Sequence, residues 1–214
     1  MWGAPETAAE EIEAGFAPLV AGNALVGWHG ATENYTITDG VLVCQPEKGG
    51  NIYTDDEFAD FVLRFEFRLT PGGNNGIGIR VPDGGHASTE GMEIQILDDT
   101  HPKYDKLKPY QAHGSVYGII PAKKGHLRPT GEWNSEEISC VGRRVKVVLN
   151  GVTIVDGDLD EATRDGTLDG KEHPGARRRS GHICLCTHGS DVDFRNLRIR
   201  REPMPSGSPE TDAN

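Results

Sequence analysis

The chain has 214 residues, and its 22 Lys and Arg against 33 Asp and Glu give a formal net charge of −11 at pH 7. That balance excludes a general nucleic-acid binder, which needs a basic face to release counterions from phosphates, and it argues against docking on anionic membranes. The length suffices for one domain with a full core. Gly 28 and Pro 13 make up about a fifth of the residues, against roughly 12% on average, so turns are frequent, elements are short and β structure is favoured.

Residues 1–14 are acidic (Glu6, Glu10, Glu11, Glu13) and read as a short helix or a frayed end. Met1 is followed by Trp2, Pro5 and Glu6, with neither the basic start nor the apolar core of a signal peptide. The longest uncharged run, Gly15 to Trp28, is broken by Pro18, Gly22 and Asn23, which excludes a membrane-spanning helix there. Localisation stays open: cytoplasmic, or periplasmic or extracellular if an export signal has been removed. One domain is expected over 15–202, followed by a tail, 203–214, of disorder composition.

Alternation is the main signal within the domain. Phe61, Leu63, Phe65, Phe67 and Leu69 share one face of a strand while Arg64, Glu66 and Arg68 share the other. The cluster Pro71-Gly-Gly-Asn-Asn-Gly76 reads as a turn, and Ile77, Ile79 and Val81 resume the period, so 61–81 is expected to be a hairpin. Met92, Ile94 and Ile96 alternate again. Asn150-Gly151 between Val145–Leu149 and Val152–Ile154 is the strongest short hairpin signal. Ile183–Leu185 and Val192–Phe194 are expected to pair around His188-Gly189, and Leu197 and Ile199 continue the last strand. Only Asp158–Arg164 suits a helix. Such a pattern predicts an all-β chain of two packed antiparallel sheets, with a barrel as the alternative. The cysteines stand at 44, 140, 184 and 186. Cys184 and Cys186 share a strand face, where they do not easily bond to each other, and all four are expected as buried or half-buried free thiols.

Glu90-Gly-Met-Glu93-Ile-Gln95-Ile-Leu-Asp98-Asp99 is the most informative stretch. On a strand Glu93 and Gln95 share a face, and a bulge near Leu97 would return Asp98 to that side. Two carboxylates and an amide on one sheet surface suit carbohydrate chemistry, and equally suit a solvated polar face. The stretch 98–116 has little periodicity, carries His101, Tyr104, Lys106, Lys108, Tyr110, Gln111 and His113 with Tyr117 just beyond, and is long enough to suggest function. His113 between Ala112 and Gly114 suits proton transfer near neutrality or a backbone-satisfied loop position. Arg80, on the expected face of Gly76 and Gly78, is a candidate for binding an oxyanion or for pairing with Glu93 or Asp98. Trp133 is a candidate to stack on a sugar ring or to pack in the core. His188 lies on the turn between the last strands. No nucleotide loop, Gly-x-Ser-x-Gly elbow or His-Glu-x-x-His is present.

In chain order, the chain also carries Leu25-Val-Gly-Trp28, Ile37-Thr-Asp-Gly40-Val-Leu42, Asn51-Ile-Tyr-Thr54 and Phe58-Ala-Asp-Phe-Val-Leu-Arg-Phe-Glu-Phe67. Asn74-Asn-Gly-Ile-Gly-Ile-Arg80, Gly91-Met-Glu-Ile-Gln-Ile-Leu-Asp98, Lys106-Leu-Lys-Pro-Tyr-Gln111 and His113-Gly-Ser-Val-Tyr-Gly118 follow. Gly131-Glu-Trp-Asn134, Leu149-Asn-Gly151, Gly181-His-Ile183 and Phe194-Arg-Asn196 complete the set. Together these resemble the 3-keto-disaccharide hydrolase domain family of the concanavalin A-like lectin/glucanase group, over roughly residues 15–200. Two departures stand out. Val20-Ala-Gly-Asn-Ala-Leu25 replaces the family's Phe-Asn-Gly-Lys-Asp-Leu, and Cys184-Leu-Cys186-Thr-His-Gly189 replaces its glycine-rich ending.

The resemblance implies a concanavalin A-like jelly-roll β-sandwich whose concave face binds a sugar already oxidised at carbon 3, and cleavage of its glycosidic bond. A ketone at carbon 3 acidifies the carbon 2 hydrogen; a base removes it, the enolate expels the carbon 1 substituent, and water adds back. This chemistry needs a base, an enolate-stabilising group and an acid. The expected catalytic residues are Glu93 or His113 as base or acid, with Asp98 orienting His113 or holding a metal. The expected substrate-binding residues are Arg80, Gln95, Asn75, Tyr117, Trp133 and His188. No cofactor is assigned; a divalent cation could replace Arg80 as enolate stabiliser, without a ligand pattern to place it. A non-catalytic lectin-like binding module, a retaining glycosidase and an accessory domain of a larger protein are the rival readings. The expected partner is a carbohydrate, with neither nucleic acid nor membrane involved.

Overall fold

The computed structural model describes residues 15–44, 49–189 and 191–203; the expectations for the acidic start and for 204–214 fall outside them. Thirteen strands run through these residues. They are β1 (Ala17–Pro18), β2 (Trp28–Gly30), β3 (Tyr35–Thr38), β4 (Val41–Cys44), β5 (Ile52–Phe58), β6 (Phe61–Leu69) and β7 (Asn74–Val81), then β8 (Met92–Leu97), β9 (Trp133–Val141), β10 (Arg144–Leu149), β11 (Val152–Asp158), β12 (Gly181–Thr187) and β13 (Val192–Arg201). One short helix, α1 (Leu159–Ala162), is capped by Asp158, whose side chain accepts from the N–H groups of Asp160 and Glu161.

Two antiparallel sheets form. One has the order β11-β10-β9-β6-β13-β4-β3, with β1 added to β13; the other has the order β2-β5-β12-β7-β8. Phe61, Leu63, Phe65, Phe67 and Leu69 of the first pack in one buried cluster with Ile77, Ile79, Met92, Ile94 and Ile96 of the second. Each such side chain contributes about 1.5–3 kcal/mol by leaving water, so this shared layer holds the two sheets face to face. The chain is therefore a sandwich and not a barrel.

Asn150-Gly151 makes the expected hairpin between β10 and β11, with φ of 49° and 83° suiting the tight turn. The other two expected hairpins do not form. β6 pairs with β9 and β13 while β7 pairs with β8 and β12, so the turn after Leu69 carries the chain from one sheet to the other. β12 and β13 likewise lie in different sheets. A sandwich with both strand edges occupied by distant partners leaves no edge for the sequence neighbour, and alternation alone does not reveal this.

Candidate active site

The polar side chains collect on the outer face of the five-stranded sheet. In β8 Met92, Ile94 and Ile96 point into the core, so Glu93 and Gln95 point outward. Across from them β7 presents Gly78 opposite Glu93 and Gly76 opposite Gln95. A Cβ on Gly76 would lie 2.2 Å from Glu93 Oε1, so the missing side chain is what seats this carboxylate on the sheet. Gln95 Nε2 donates to Asn74 Oδ1 at 2.7 Å.

The far end of the long loop returns as an edge segment beside β8. Gly114 N–H donates to Gln95 O at 2.7 Å and Tyr117 N–H to Glu93 O at 2.9 Å, with Val116 bridged to Ile94. Val116 is buried in the core, so alternation sets Tyr117 on the Glu93 side. Its hydroxyl accepts from Gln111 Nε2 at 3.0 Å and its ring meets Tyr110 edge-on. On the other side of β7, β12 places Cys184 opposite Gly78 and Cys186 opposite Gly76, and β5 adds Tyr53 beside Cys184.

His188, just after β12, closes the group. Its Nε2 lies 3.5 Å from Glu93 Oε1, with side-chain exposures of 46% and 6%. The hydrogen bond to Glu93 raises the imidazole pKa above the ordinary 6.5, outweighing a smaller opposing effect of burial. Sequence reasoning singled out Glu93, Gln95, Tyr117 and His188, and the fold brings these four to one face.

Five other expected site residues lie elsewhere. Arg80 is 1% exposed and its guanidinium is fully engaged, donating to the carbonyls of Ala59, Gly142 and Arg178 and to Asp60 Oδ1. A register shift between β7 and β12 and a φ of 50° at Arg80 mark a bulge that turns this residue off the glycine face. It ties chain segments together, and its donors are taken up within the chain. Asn75 is fully buried, shares the core face with Ile77, and accepts from Gly76 N–H.

His113 is 3% exposed and lies between the sheets. Its Nδ1 accepts from Leu97 N–H at 3.1 Å, which leaves the hydrogen on Nε2 to be donated to Glu136 Oε2 at 3.0 Å, and its ring packs on Phe67. Glu93 and His113 therefore occupy opposite faces of the sheet, and an acid–base pair between them is ruled out. Asp98 does not return to the Glu93 side, because β8 runs against β7 without the expected bulge. Its carboxylate accepts from Gly72 N–H, Thr100 N–H and Thr100 Oγ1; burial works against ionisation there, but these hydrogen bonds together with nearby His101 bring its pKa below the ordinary value. Trp133 lies on the outer face of the other sheet, between the guanidinium groups of Arg68 and Arg195 at 4.8 and 4.0 Å.

Sequence reasoning missed Asn74, the seat at Gly76, and a second polar group on β2 and β5. There His29 stacks on Tyr53 and holds Asp55 and Asp83 on its two nitrogens at 2.9 Å each, fastening the 82–91 turn over the sheet. Alternation of Tyr53 and Asp55 was the available signal. Two clefts, of about 380 and 260 Å³, are lined by residues 23–37 and 163–177 and lie away from Glu93. Among the described residues no three His, Cys, Asp or Glu side chains gather as a cation cage, and none of the longer helices a membrane crossing needs is present.

Comparison with known proteins agrees with this fold. A protein of Parabacteroides distasonis ATCC 8503, solved at 2.00 Å as a candidate glycosyl hydrolase, is 32% identical, with a TM-score of 0.78 over 87% of this chain and 99% of that one. A second from the same organism, 22% identical with a TM-score of 0.74 over 88% and 95%, shares the fold. So does the lumenal domain of the lectin VIP36, 12% identical with a TM-score of 0.56 over 86% of each chain, which identifies the sandwich as a lectin-type jelly roll. The 3-keto-disaccharide hydrolase of Bacteroides thetaiotaomicron is 25% identical, across 87% of this chain and 78% of that one. These likenesses support a glycoside hydrolase-like function. A family model described as 3-keto-alpha-glucoside-1,2-lyase-like domain matches residues 15–200, and the chain belongs to that family.

Proposed function

We propose that the protein cleaves the glycosidic bond of 3-keto-glycosides on the outer face of the five-stranded sheet. The observation that carries the reading is the Glu93–His188 pair, a carboxylate beside an imidazole held toward its protonated form. Glu93 takes the carbon 2 hydrogen, whose electrons move toward the carbon 3 oxygen. His188 gives its proton to the departing carbon 1 oxygen as the enolate collapses and the carbon 1–carbon 2 double bond forms. Water then adds at carbon 1 while neutral His188 takes its proton, and Glu93 returns the first proton to carbon 2. Both groups end as they began, so one pair serves both half-reactions.

Gln95 and Asn74 supply amide groups for sugar hydroxyls. Tyr117 accepts from Gln111, which leaves its own O–H hydrogen for the enolate oxygen. The reading differs from a retaining glycosidase, which needs a second free carboxylate about 5–5.5 Å away; Asp98 is tied into its turn instead.

The test is to incubate purified protein with a 3-keto-glucoside bearing a chromogenic aglycone, and with its unoxidised parent. Release from the keto compound alone, lost in Glu93→Gln, is expected. Saturable binding of sugars without release overturns the reading in favour of a lectin-like module.

A further inference from the structure

We infer that Gln111 is a positioning residue that acts through Tyr117: the turn from Lys108 to Gln111 fixes which end of the Gln111 amide meets the phenol, and so directs the Tyr117 hydroxyl hydrogen out of the protein and toward the ligand. The inference rests on the proposed reaction and names what sets its enolate-facing donor. Tyr117 is held close to the base. Gln95 N–H donates to Ser115 O and Tyr117 N–H to Glu93 O, on either side of the Ile94–Val116 bridge, so Tyr117 lies directly across from Glu93. Residues so placed have Cβ atoms roughly 4.5–5.5 Å apart.

An amide meets a phenol with either end: its nitrogen donates, or its oxygen takes the phenol hydrogen. Lys108 decides between them. Its backbone N–H only donates, and it lies 3.0 Å from one end of the Gln111 amide, which must therefore be the oxygen. The nitrogen is left to face Tyr117, 3.0 Å from its hydroxyl. The turn that does this is held from several sides. Gln111 N–H donates back to Lys108 O at 2.9 Å, and Pro109 opens the single helical turn Pro109–Gln111. The Ser115 hydroxyl donates to Pro109 O at 3.3 Å and accepts from Ala122 N–H at 3.0 Å, which pins the turn to the next segment. The Tyr110 ring stands edge-on to that of Tyr117 at 6.2 Å and restricts its swing. Among the described residues no acceptor takes the hydrogen of the Tyr117 hydroxyl. A ketone or enolate oxygen only accepts, so a hydroxyl committed in this way suits it.

The test uses the full chain and a chromogenic 3-keto-glucoside. Tyr117→Phe is expected to lower kcat by about 10². Gln111→Glu keeps the size and the Lys108 bond but offers Tyr117 an acceptor, so kcat is expected to fall nearly as far, with KM within about threefold of wild type. As pH falls toward about 4.3 the introduced carboxyl takes up a proton and donates again, so the variant-to-wild-type ratio of kcat should climb. In a Tyr117→Phe background Gln111→Glu should have no further effect. Gln111→Met, which removes the donor without adding a charge, covers the case in which the carboxylate disturbs the loop; a loss of about tenfold is expected. A readout without turnover is the Raman tyrosine doublet, whose intensity ratio should show the Tyr117 hydroxyl becoming a donor in Gln111→Glu at neutral pH. Wild-type kcat in Tyr117→Phe or in both Gln111 variants, equal losses with and without Tyr117, a pH-independent ratio, or an unchanged doublet each overturns the inference while turnover by the unaltered chain leaves the reaction standing. If the unaltered chain releases no aglycone, the reaction falls and the role of Gln111 in it falls too.

Discussion

Glu93 Oε1 and His188 Nε2 meet at 3.5 Å from positions 95 residues apart, one near the start of β8 and the other on the turn that leaves β12. β7 lies between those two strands, and its Gly76 is the gap through which the carboxylate reaches across. The pairing therefore depends on three strands and one missing side chain.

Replacing either member of that arrangement has a defined outcome. Glu93→Gln keeps the shape and removes the base, so kcat for a 3-keto-glucoside is expected to fall by about 10²–10⁴, with little change in melting temperature. Gly76→Ala puts a methyl where the carboxylate sits and is expected to lower kcat similarly by displacing Glu93, while the flexible side chain yields and the sheet persists. Rates within threefold of wild type in both variants, measured by aglycone release, remove Glu93 from the mechanism.

His188 carries a pH signature. Its folded-state pKa lies above 6.5, raised by the hydrogen bond to Glu93. The stabilisation it contributes is therefore complete below pH 6.5 and is lost as pH rises through the folded-state value. Nuclear magnetic resonance titration of the imidazole should give a midpoint above 6.5 in wild type and one closer to it in Glu93→Gln. An unchanged midpoint between the two breaks the proposed pairing.

Arg80 should behave as a structural residue. Arg80→Ala strips donors from three backbone carbonyls and leaves Asp60 buried without its cationic partner, with only Gly142 N–H still donating to it, an expected loss of about 3–5 kcal/mol in urea unfolding. KM per folded molecule should not move. A raised KM with unchanged stability would return Arg80 to the site.

The His113–Glu136 contact is predicted to bridge the sheets. His113 links Leu97 at the end of β8 to Glu136 on β9, and Glu136 Oε1 has no hydrogen-bond partner among the described residues. His113→Ala should cost about 3 kcal/mol by orphaning both groups, and a double-mutant cycle with Glu136→Leu should give a coupling of about 0.5–3 kcal/mol. Strict additivity argues against the bridge.

By itself the sequence determined the strongly alternating strands, such as β6, β8 and β10, and the faces of the regular ones. Phe61 to Leu69 alternate because one side meets the core and the other meets water, and Glu93 and Gln95 follow from Met92, Ile94 and Ile96 by the same rule. Asn150-Gly151 also wrote its own turn, since the positive φ values are a local property. What tertiary structure decided was everything that crosses strands. A bulge at Arg80 reversed the facing that period-two counting assigned to it, because one extra residue inverts every later side chain. His113 lies in a loop without periodicity, so only the docking of that loop against β8 and β9 sets its ring between the sheets. The site shares that dependence: His188 reaches Glu93 because β12 and β8 both flank β7, and such an order of distant strands is fixed by packing two sheets on one core.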